Sequence, residues 1–352
     1  MSTEPDILFE RHGTAGIVTL NRPQALNAVS HDMVRALARQ LSAWEDDPAV
    51  MRVLVVAAGG RGFSAGGDLR ALYDLGRAGR QEEALGFFRD EYRLNYQIKH
   101  YRKPYVALID GIVMGGGVGV SVHGSHRVAG DRLVFAMPEV GIGFFPDIGA
   151  TWFLPRLPGA LGAYCALTGE RLTATDAVAA GIATHRVASA RFAELTDALC
   201  GAVAVDAVLG AFAQPAGSGP LTERRDPINR MFACERVEDI LAALDAEAAG
   251  EGPHAAFAAA TIALIRTKSP TSLKIARAQV RHGATLDFGA CMRTEFRIVS
   301  RVVHGHDFYE GVRAVIIDKD QAPRWQPAQL DAVSAAEVER YLAPLPRELE
   351  VA

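Results

Sequence analysis

The sequence predicts an α/β protein in which strands are concentrated in the first half and helices in the second. Short β-branched segments ended by turn residues begin near the N-terminus with ILFERHG and GIVTLNRP. From Gly159 to about Leu342 the pattern is mainly helical, interrupted by the loop QPAGSGP at residues 214–220. No period of about 20 to 50 residues recurs, which excludes repeat architectures.

The elements of the first half follow one another as strand, glycine loop and helix. The segment SHDMVRALARQLSAWEDD predicts an amphipathic helix with Ser30 as its N-cap, since apolar residues recur every three or four positions at Met33, Leu37, Leu41 and Trp44. The buried strand VLVVAA leads into GGRGFSAGGDL and a long helical stretch to Arg102. The strand YVALID then leads into GIVMGGGVGVSVHG, which repeats this order, and RVAGDRLVFAMPE adds two short strands.

Composition limits the classes of function. A chain of 352 residues with 49% hydrophobic and 22% charged residues can bury a substantial core in one large or two modest domains. The net charge of −4 gives no general attraction for nucleic acid, so we expect no nucleic-acid partner. No segment approaches the roughly 20 apolar residues of a membrane span. Because MSTEPDILFE lacks the pattern of a secretory signal, we expect no membrane partner and a cytoplasmic location.

The cysteines and histidines predict no metal site. The four cysteines have no CxxC spacing, which argues against zinc and against a disulfide framework, and we expect buried thiols at Cys165, Cys200, Cys234 and Cys291. His304 and His306 form an H-x-H pair without a third ligand nearby, which is more typical of surface or capping histidines.

The segment GGRGFSAGG matches two known patterns weakly. Its spacing of Gly60, Gly62 and Ala65 resembles a dinucleotide-binding fingerprint, but no second strand follows where that fingerprint requires one. It also contains a G-x-S-x-G match that makes Ser64 a candidate esterase nucleophile. Only about three strands precede Ser64, whereas the nucleophile of an α/β-hydrolase follows a sheet already several strands long. Chance accounts for both matches.

Two carboxylates stand eight residues apart in the apolar stretch FAMPEVGIGFFPDIGATW, at Glu139 and Asp147. A charge in such surroundings is costly unless it is paired, hydrogen-bonded or neutralised by a shifted pKa, so catalysis is one candidate explanation. The two glycine runs that follow strands expose backbone N–H groups able to stabilise negative charge. Tight turns with close backbone packing are the alternative explanation for each run taken singly.

Together, RGFSAGGDLR, KPYVALIDGIVMGGGVGVSVHG and FAMPEVGIGFFPDIGATWFLPRLPG resemble the crotonase (enoyl-CoA hydratase/isomerase) superfamily. Near the C-terminus, SPTSLKIARAQV and GHDFYEGVRAVIIDKDQAPRWQP resemble its 3-hydroxyisobutyryl-CoA hydrolase branch, and the similarity runs from about Leu8 to Pro327. The resemblance implies a crotonase-like spiral of ββα units, which we place at residues 1–205, and a helical C-terminal region at 206–352. It also implies a coenzyme A thioester as substrate, no separate cofactor, and a homo-oligomer, often a trimer.

The resemblance assigns roles to particular residues. It implies an oxyanion hole made by the backbone N–H groups of Gly67 and Gly116, with Glu139 and Asp147 as catalytic carboxylates. It also implies that the substrate contacts Gly116, Glu139, Asp147 and Glu91, the last in RDEYRLN. The backbone near Ala65, in AGGD, is implied to contact the coenzyme A portion.

Thioester hydrolysis within valine breakdown is the activity that the resemblance implies. Glu139 would either attack the carbonyl carbon to give a mixed anhydride or deprotonate a water, and the sequence leaves both routes open. Asp147 would orient the 3-hydroxyl or the hydrolytic water. Hydratases of the superfamily carry a second glutamate where this chain has Gly119, so an enoyl-CoA hydratase or isomerase is the alternative. A non-enzymatic acyl-CoA-binding protein is a third hypothesis.

Overall fold

The computed structural model describes residues 4–351. Strands in that range are β1 (Ile7–His12), β2 (Ala15–Leu20), β3 (Arg52–Ala57), β4 (Gly62–Ser64), β5 (Tyr105–Ile109), β6 (Ile112–Met114), β7 (His126–Ala129), β8 (Val134–Ala136), β9 (Leu172–Thr173) and β10 (His185–Arg186).

Helices α1 to α9 are α1 (His31–Asp46), α2 (Leu69–Arg77), α3 (Gln81–Lys99), α4 (Gly116–Gly119), α5 (Ala150–Phe153), α6 (Leu161–Thr168), α7 (Ala174–Ala179), α8 (Phe192–Leu199) and α9 (Val205–Phe212). Those that follow are α10 (Pro220–Glu223), α11 (Arg225–Phe232), α12 (Val237–Ala248), α13 (Ala255–Ile265), α14 (Pro270–Gly283), α15 (Phe288–Val302), α16 (His306–Val312) and α17 (Ala335–Leu342). Short 3-10 turns lie at Pro23–Ala25, Glu139–Ile142, Leu154–Arg156, Ser189–Arg191 and Leu330–Ala332, and a π-helical turn at Arg313–Ile317.

From β3 to β8 the strands alternate between two sheets. One sheet has the order β1-β2-β3-β5-β7-β10, and the other has the order β4-β6-β8-β9. Pairing is parallel except between β1 and β2 and between β8 and β9. The consecutive pairs β3–β4, β5–β6 and β7–β8 therefore each place one strand in each sheet. This repetition is the spiral of ββα units that the resemblance implies, and the predicted α/β class is confirmed.

The first helix shows why the local pattern was informative. The Met33 N–H donates to the Ser30 side-chain oxygen at 3.3 Å, and the apolar positions Met33, Leu37, Leu41 and Trp44 are all buried. The N-cap prediction is therefore correct. The long helical stretch predicted up to Arg102 is instead two helices, α2 and α3, because Gly79 has a φ of +74° between them, which ends the first helix.

Two short strands were not predicted in the second half. Strands β9 and β10 have two residues each, too few to produce an alternating pattern. The predicted loop at residues 214–220 follows α9 and reaches the first residue of α10, Pro220. Its first N–H, that of Gln214, donates to the Arg186 carbonyl at 2.8 Å.

The described residues divide into two compact units. The first unit runs to Asp68 and includes Asp90–Ala136 and Arg171–Thr222, and the second contains Leu69–Arg89, Met137–Glu170 and the chain from Glu223 onward. Each unit is built from three segments, so the single predicted boundary at residue 205 does not describe this division. The reason is that Leu69–Arg89 and Met137–Glu170 belong to the same compact unit as the C-terminal helices. Such long-range packing leaves no signal in a local sequence pattern.

The structure also shows how far the four cysteine thiols are buried and how long the helices are. All four thiols are free; Cys165 and Cys291 are buried, whereas Cys200 and Cys234 are partly exposed, which corrects the prediction that all four are buried. Among residues 4–351, no helix has the length and apolarity required to cross a membrane.

Candidate active site

The glycine loop after β4 is fixed by backbone hydrogen bonds within the first unit. The Ala65 N–H donates to the Leu26 carbonyl at 2.9 Å, and the Gly66 carbonyl accepts the Val29 N–H at 2.8 Å. Gly66 has a φ of +118°, a conformation that side chains rarely adopt. The bonds flank Gly67, whose own N–H has no acceptor in the described part of the chain.

The second glycine loop approaches the first closely enough to exclude side chains. A Cβ atom on Gly116 would lie 3.2 Å from the Gly67 nitrogen and 2.7 Å from the Glu91 Oε1. Gly116 begins α4, where the first N–H groups of a helix have no intrahelical acceptor. The structure thus brings together Gly67, Gly116 and Glu91, which are distant from one another along the chain. This arrangement can stabilise a developing oxyanion with backbone N–H groups.

Helix α3 presents two buried polar side chains one turn apart. Glu91 is 3% exposed, and Asn95 is completely buried. The Asn95 Nδ2 and Oδ1 have no hydrogen-bond partner within residues 4–351. Buried amides are normally satisfied, so a bound molecule or water is expected there. Sequence reasoning missed Asn95, although its spacing of four residues from Glu91 places both on the same helix face.

Glu139 opens a 3-10 turn in the second unit. It is 5% exposed, and its Oε2 has no hydrogen-bond partner among the described residues. The turn ends at Gly143, whose φ of +68° and close packing leave no room for a Cβ, which would lie 2.0 Å from the Asp307 carbonyl oxygen. The Ser269 N–H donates to the Val140 carbonyl at 3.2 Å. Backbone packing from the C-terminal helices therefore fixes this turn.

Asp147 lies in residues 143–149, here named the Asp147 loop. Asp147 is 5% exposed. The loop ends with Ile148 at φ +53° and Gly149 at φ +90°. A β-branched residue in the left-handed region is strained, so the loop adopts this form only because its surroundings impose it.

Glu295 on α15 is a third buried carboxyl group, and it lies beside the Asp147 loop. Its Oε2 accepts the Gly149 N–H at 2.8 Å, and its Oε1 accepts the Thr151 N–H at 2.8 Å. Sequence reasoning missed this residue. The available signal was a glutamate among the buried, mainly apolar positions of α15, where charged residues are rare unless they have a specific partner.

Neighbouring carboxylate charges add to the effect of burial on the pKa of Glu139 and of Glu295. Burial and then the nearby Asp147 and Glu295 charges hold the pKa of Glu139 well above its usual value of 4.5. Burial and then the Asp147 charge raise the pKa of Glu295 to about 8, against the opposing effect of its two backbone N–H donors. A protonated or partly protonated cluster is a common property of acid–base sites.

The Ser64 side chain forms hydrogen bonds with backbone groups in and beside the glycine loop. Its buried hydroxyl donates to the Asn27 carbonyl at 2.8 Å and accepts the Gly66 N–H at 3.4 Å. This geometry fits a loop residue rather than an esterase nucleophile, which would donate to a general base.

A family model described as enoyl-CoA hydratase/isomerase matches residues 15–342. This match covers both glycine loops, the Glu139 turn, the Asp147 loop and α15. The chain belongs to the enoyl-CoA hydratase/isomerase family.

Two relatives within the family carry the same name over nearly the whole chain. A 3-hydroxyisobutyryl-CoA hydrolase, mitochondrial, from Gallus gallus is 44% identical over 97% of this chain and 89% of its own length. The protein of that name from Homo sapiens is 42% identical over 97% of this chain and 89% of its own length.

Two solved structures share the fold but carry other names. A carnitinyl-CoA dehydratase from Mycobacterium thermoresistibile has a TM-score of 0.93 at 44% identity and covers 99% of each chain. An enoyl-CoA hydratase from Rhodobacter sphaeroides 2.4.1 has a TM-score of 0.91 at 37% identity, covering 98% of this chain and all of its own. The family and fold are therefore common to proteins named for hydrolysis, dehydration and hydration.

Replacing Glu139 by glutamine should stabilise the protein more at high pH than at low pH. Because the folded-state pKa of Glu139 is raised, wild-type stability falls as pH increases from about 4.5 through that raised pKa. The free energy of unfolding falls by about 1.4 kcal/mol for each tenfold difference in the proton affinity of Glu139 between the folded and unfolded chains. A glutamine at this position avoids this loss of stability because an amide does not ionise. Thermal unfolding should give equal midpoints near pH 4.5 and a midpoint higher by about 1–4 °C for Glu139→Gln at pH 8. Parallel pH curves for the two proteins would contradict the raised pKa.

Replacing Gly116 by alanine should impair catalysis because its Cβ would push against Glu91 Oε1 and the Gly67 nitrogen. We expect a loss of about 10²-fold or more in kcat, the size seen when one oxyanion donor is lost. Gly210→Ala is the matched control, since no atom lies within 4 Å of its Cβ position in α9. Equal activity of both variants in a thiol-release assay would argue against the glycine pair as an oxyanion site.

Proposed function

We propose that this protein hydrolyses the thioester of 3-hydroxyisobutyryl-CoA, or of a closely similar short 3-hydroxyacyl-CoA, to the free acid and coenzyme A. The observation that carries the proposal is the buried Glu139, whose Oε2 has no hydrogen-bond partner in the described chain and whose turn is followed by a second buried carboxylate, Asp147. The names of relatives 42–45% identical over nearly the whole chain support the same reaction.

The chemistry of a thioester fits the groups available. Its thiolate leaving group, with a pKa of about 8.5 by analogy with cysteine, departs without strong general-acid help. The main requirement is stabilisation of the tetrahedral oxyanion, for which each well-placed donor contributes about 3 to 4 kcal/mol. The N–H groups of Gly67 and Gly116 supply these donors in our proposal, because neither has another acceptor in residues 4–351.

Glu139 supplies the nucleophile or the base. In the first route its carboxylate attacks the carbonyl carbon, coenzyme A leaves as the thiolate, and water opens the mixed anhydride to regenerate Glu139. In the second route Glu139 takes a proton from water as the water attacks the same carbon, and the tetrahedral intermediate then breaks its carbon–sulfur bond to release coenzyme A as the thiolate. Both routes need ionised Glu139, so its raised pKa predicts that the rate falls on the acid side at a higher pH than it would with an ordinary glutamate. Asp147 orients the 3-hydroxyl or the attacking water.

Hydration or dehydration of an acyl-CoA is the second candidate, favoured by the names of the two solved structures. Hydration requires one group to activate water and another to protonate the α-carbon. Gly119, buried at the end of α4, has no side chain where hydratases resembling this chain carry a glutamate. Comparing thiol release from 3-hydroxyisobutyryl-CoA with hydration of crotonyl-CoA separates the two, and faster hydration would make the second candidate the function.

The remaining expectations belong to the same proposal. Coenzyme A enters as part of the substrate with no separate cofactor, Glu91 and the backbone near Ala65 contact the substrate, and the protein assembles as a homo-oligomer. Valine breakdown is the proposed pathway. Cytoplasm stays our expected location, although the named hydrolase relatives are described as mitochondrial.

Replacing Glu139 by glutamine should reduce kcat by about 10³-fold or more while leaving the Kd for a coenzyme A ester within a few-fold. The amide keeps the shape of the side chain but is neither a base nor an effective nucleophile. Glu238→Gln is a matched carboxylate-to-amide control, because Glu238 pairs with Lys274 at 2.6 Å and has no part in the mechanism. Near-normal turnover by Glu139→Gln would remove Glu139 from the mechanism.

Replacing Ser64 by alanine should leave kcat/KM within a few-fold of the wild type. The substitution removes one hydrogen bond to the Asn27 carbonyl and one from the Gly66 N–H, which loosens the glycine loop slightly. A loss of several orders of magnitude, together with labelling of the wild type by serine-directed reagents, would show instead that Ser64 is the nucleophile.

A further inference from the structure

Glu295 is a fully buried carboxyl group for which the proposed reaction has no direct use. Its exposed fraction is 0%, and it forms no ion pair with any described residue. Burying a carboxyl group costs free energy, and replacing it with an apolar residue would often be neutral or stabilising. Its presence in α15 therefore calls for a specific interaction.

That interaction is with the end of the Asp147 loop. The Gly149 and Thr151 N–H groups lie at the start of α5, where backbone donors have no intrahelical acceptor. Both donate to Glu295, each at 2.8 Å, so a side chain about 146 residues away in sequence caps this short helix.

A second side chain holds the same segment from α14. Gln279 is completely buried, and its Nε2 donates to the Pro146 carbonyl and, at 2.8 Å, to the Thr151 Oγ1. The two tethers thus attach on either side of Asp147 and Ile148. Because Ile148 has a φ of +53°, a strain of about 1–3 kcal/mol must be offset for the loop to keep this form. Glu295 and Gln279 provide the compensating hydrogen bonds.

We propose that Glu295 is a positioning residue that holds Asp147 in its working place and that supplies a second negative charge near Glu139. This inference rests on the proposed thioester hydrolysis. Gln279 contributes to the same placement but carries no charge, which makes it possible to test position and charge separately.

The titratable groups around Glu295 indicate that its charge acts on Glu139, in addition to its hydrogen bonds to the Asp147 loop. Asp147 lies in the loop whose end Glu295 holds, Glu139 is near enough for the Glu295 charge to act on it, and Cys291 lies one turn earlier on α15. Burial is the main cause that raises the pKa of Glu139, and the Glu295 charge adds to it. Removing that charge should therefore lower the pKa of Glu139.

The test is Glu295→Gln in the full-length protein, assayed by thiol release from 3-hydroxyisobutyryl-CoA over a range of pH. One carboxylate oxygen is replaced by an NH₂ group facing a backbone N–H donor, so one of the two tethering bonds is lost. We expect kcat to fall about 10-fold or more with KM within about 3-fold, and the acid limb of the kcat/KM profile to move to lower pH by about half a unit or more. An unmoved acid limb, or a kcat within twofold of the wild type, would overturn the inference.

Two further variants separate this role from general stability. Glu348→Gln removes a carboxylate that pairs with Arg297, a residue of the same helix as Glu295. We expect both the kcat and the pH profile of this variant to match the wild type. Gln279→Met removes the other tether without changing charge, so kcat should fall while the acid limb stays in place. If Glu295→Gln does not fold, a folded Gln279→Met variant with normal kcat overturns the positioning of Asp147.

Amide hydrogen exchange distinguishes failure of this inference from failure of the proposed function. Exchange at the Gly149 and Thr151 N–H groups should increase about 10-fold or more in Glu295→Gln, whether or not the wild type hydrolyses the thioester. An inactive wild type with this increase would overturn the function and keep Glu295 as the holder of the loop. An active wild type with unchanged exchange and unchanged kcat in the variant would overturn only the inference.

Discussion

The burial of Glu139, Asp147 and Glu295 in one apolar region is the constraint on which the rest of the second unit depends. Like charges placed together without water raise a carboxyl group's pKa, so Glu139 and Glu295 retain protons that exposed carboxyl groups would release. Neither Glu139 nor Glu295 forms an ion pair within residues 4–351. A positive partner would have lowered these pKa values and kept the carboxylates ionised, but it would also have made Glu139 a weaker base and a weaker nucleophile in the proposed reaction.

The C-terminal helices hold the backbone that carries this unfavourable cluster. Ser269, before α14, bonds the Glu139 turn and also donates to Asp307 on α16 at 2.6 Å. Gln279 and Glu295 hold the Asp147 loop from α14 and α15. The bonds to Val140, Pro146 and Gly149 are made to backbone groups, so they fix the position of the main chain. The helical region therefore matters for chemistry as well as for core packing.

How much of this could be predicted depends on the distance over which each signal acts. The Ser30 cap of α1, the glycine loops and the Glu139–Asp147 stretch are local patterns, and the family resemblance gave them roles. Glu295 was missed because its partner lies 146 residues away, and its helix is an ordinary amphipathic one when inspected alone. The same limit explains why the compact units differ from a division at residue 205, since they join segments that are distant in sequence.

Identity of about 44% to proteins named for hydrolysis and to one named for dehydration shows that the fold does not choose the reaction. Backbone N–H groups of an oxyanion hole stabilise negative charge on a thioester oxygen, and that charge develops both in a tetrahedral intermediate and in an enolate. The role proposed for Gly67 and Gly116 therefore fits either chemistry equally. Discrimination has to come from carboxylates, because attack at the carbonyl carbon needs one ionised group, whereas addition across the neighbouring carbons needs a second group to deliver a proton. This chain has no side chain at Gly119 to deliver that proton, although it has a carboxyl group at Asp147. The absence of a carboxyl group at position 119 favours hydrolysis over hydration.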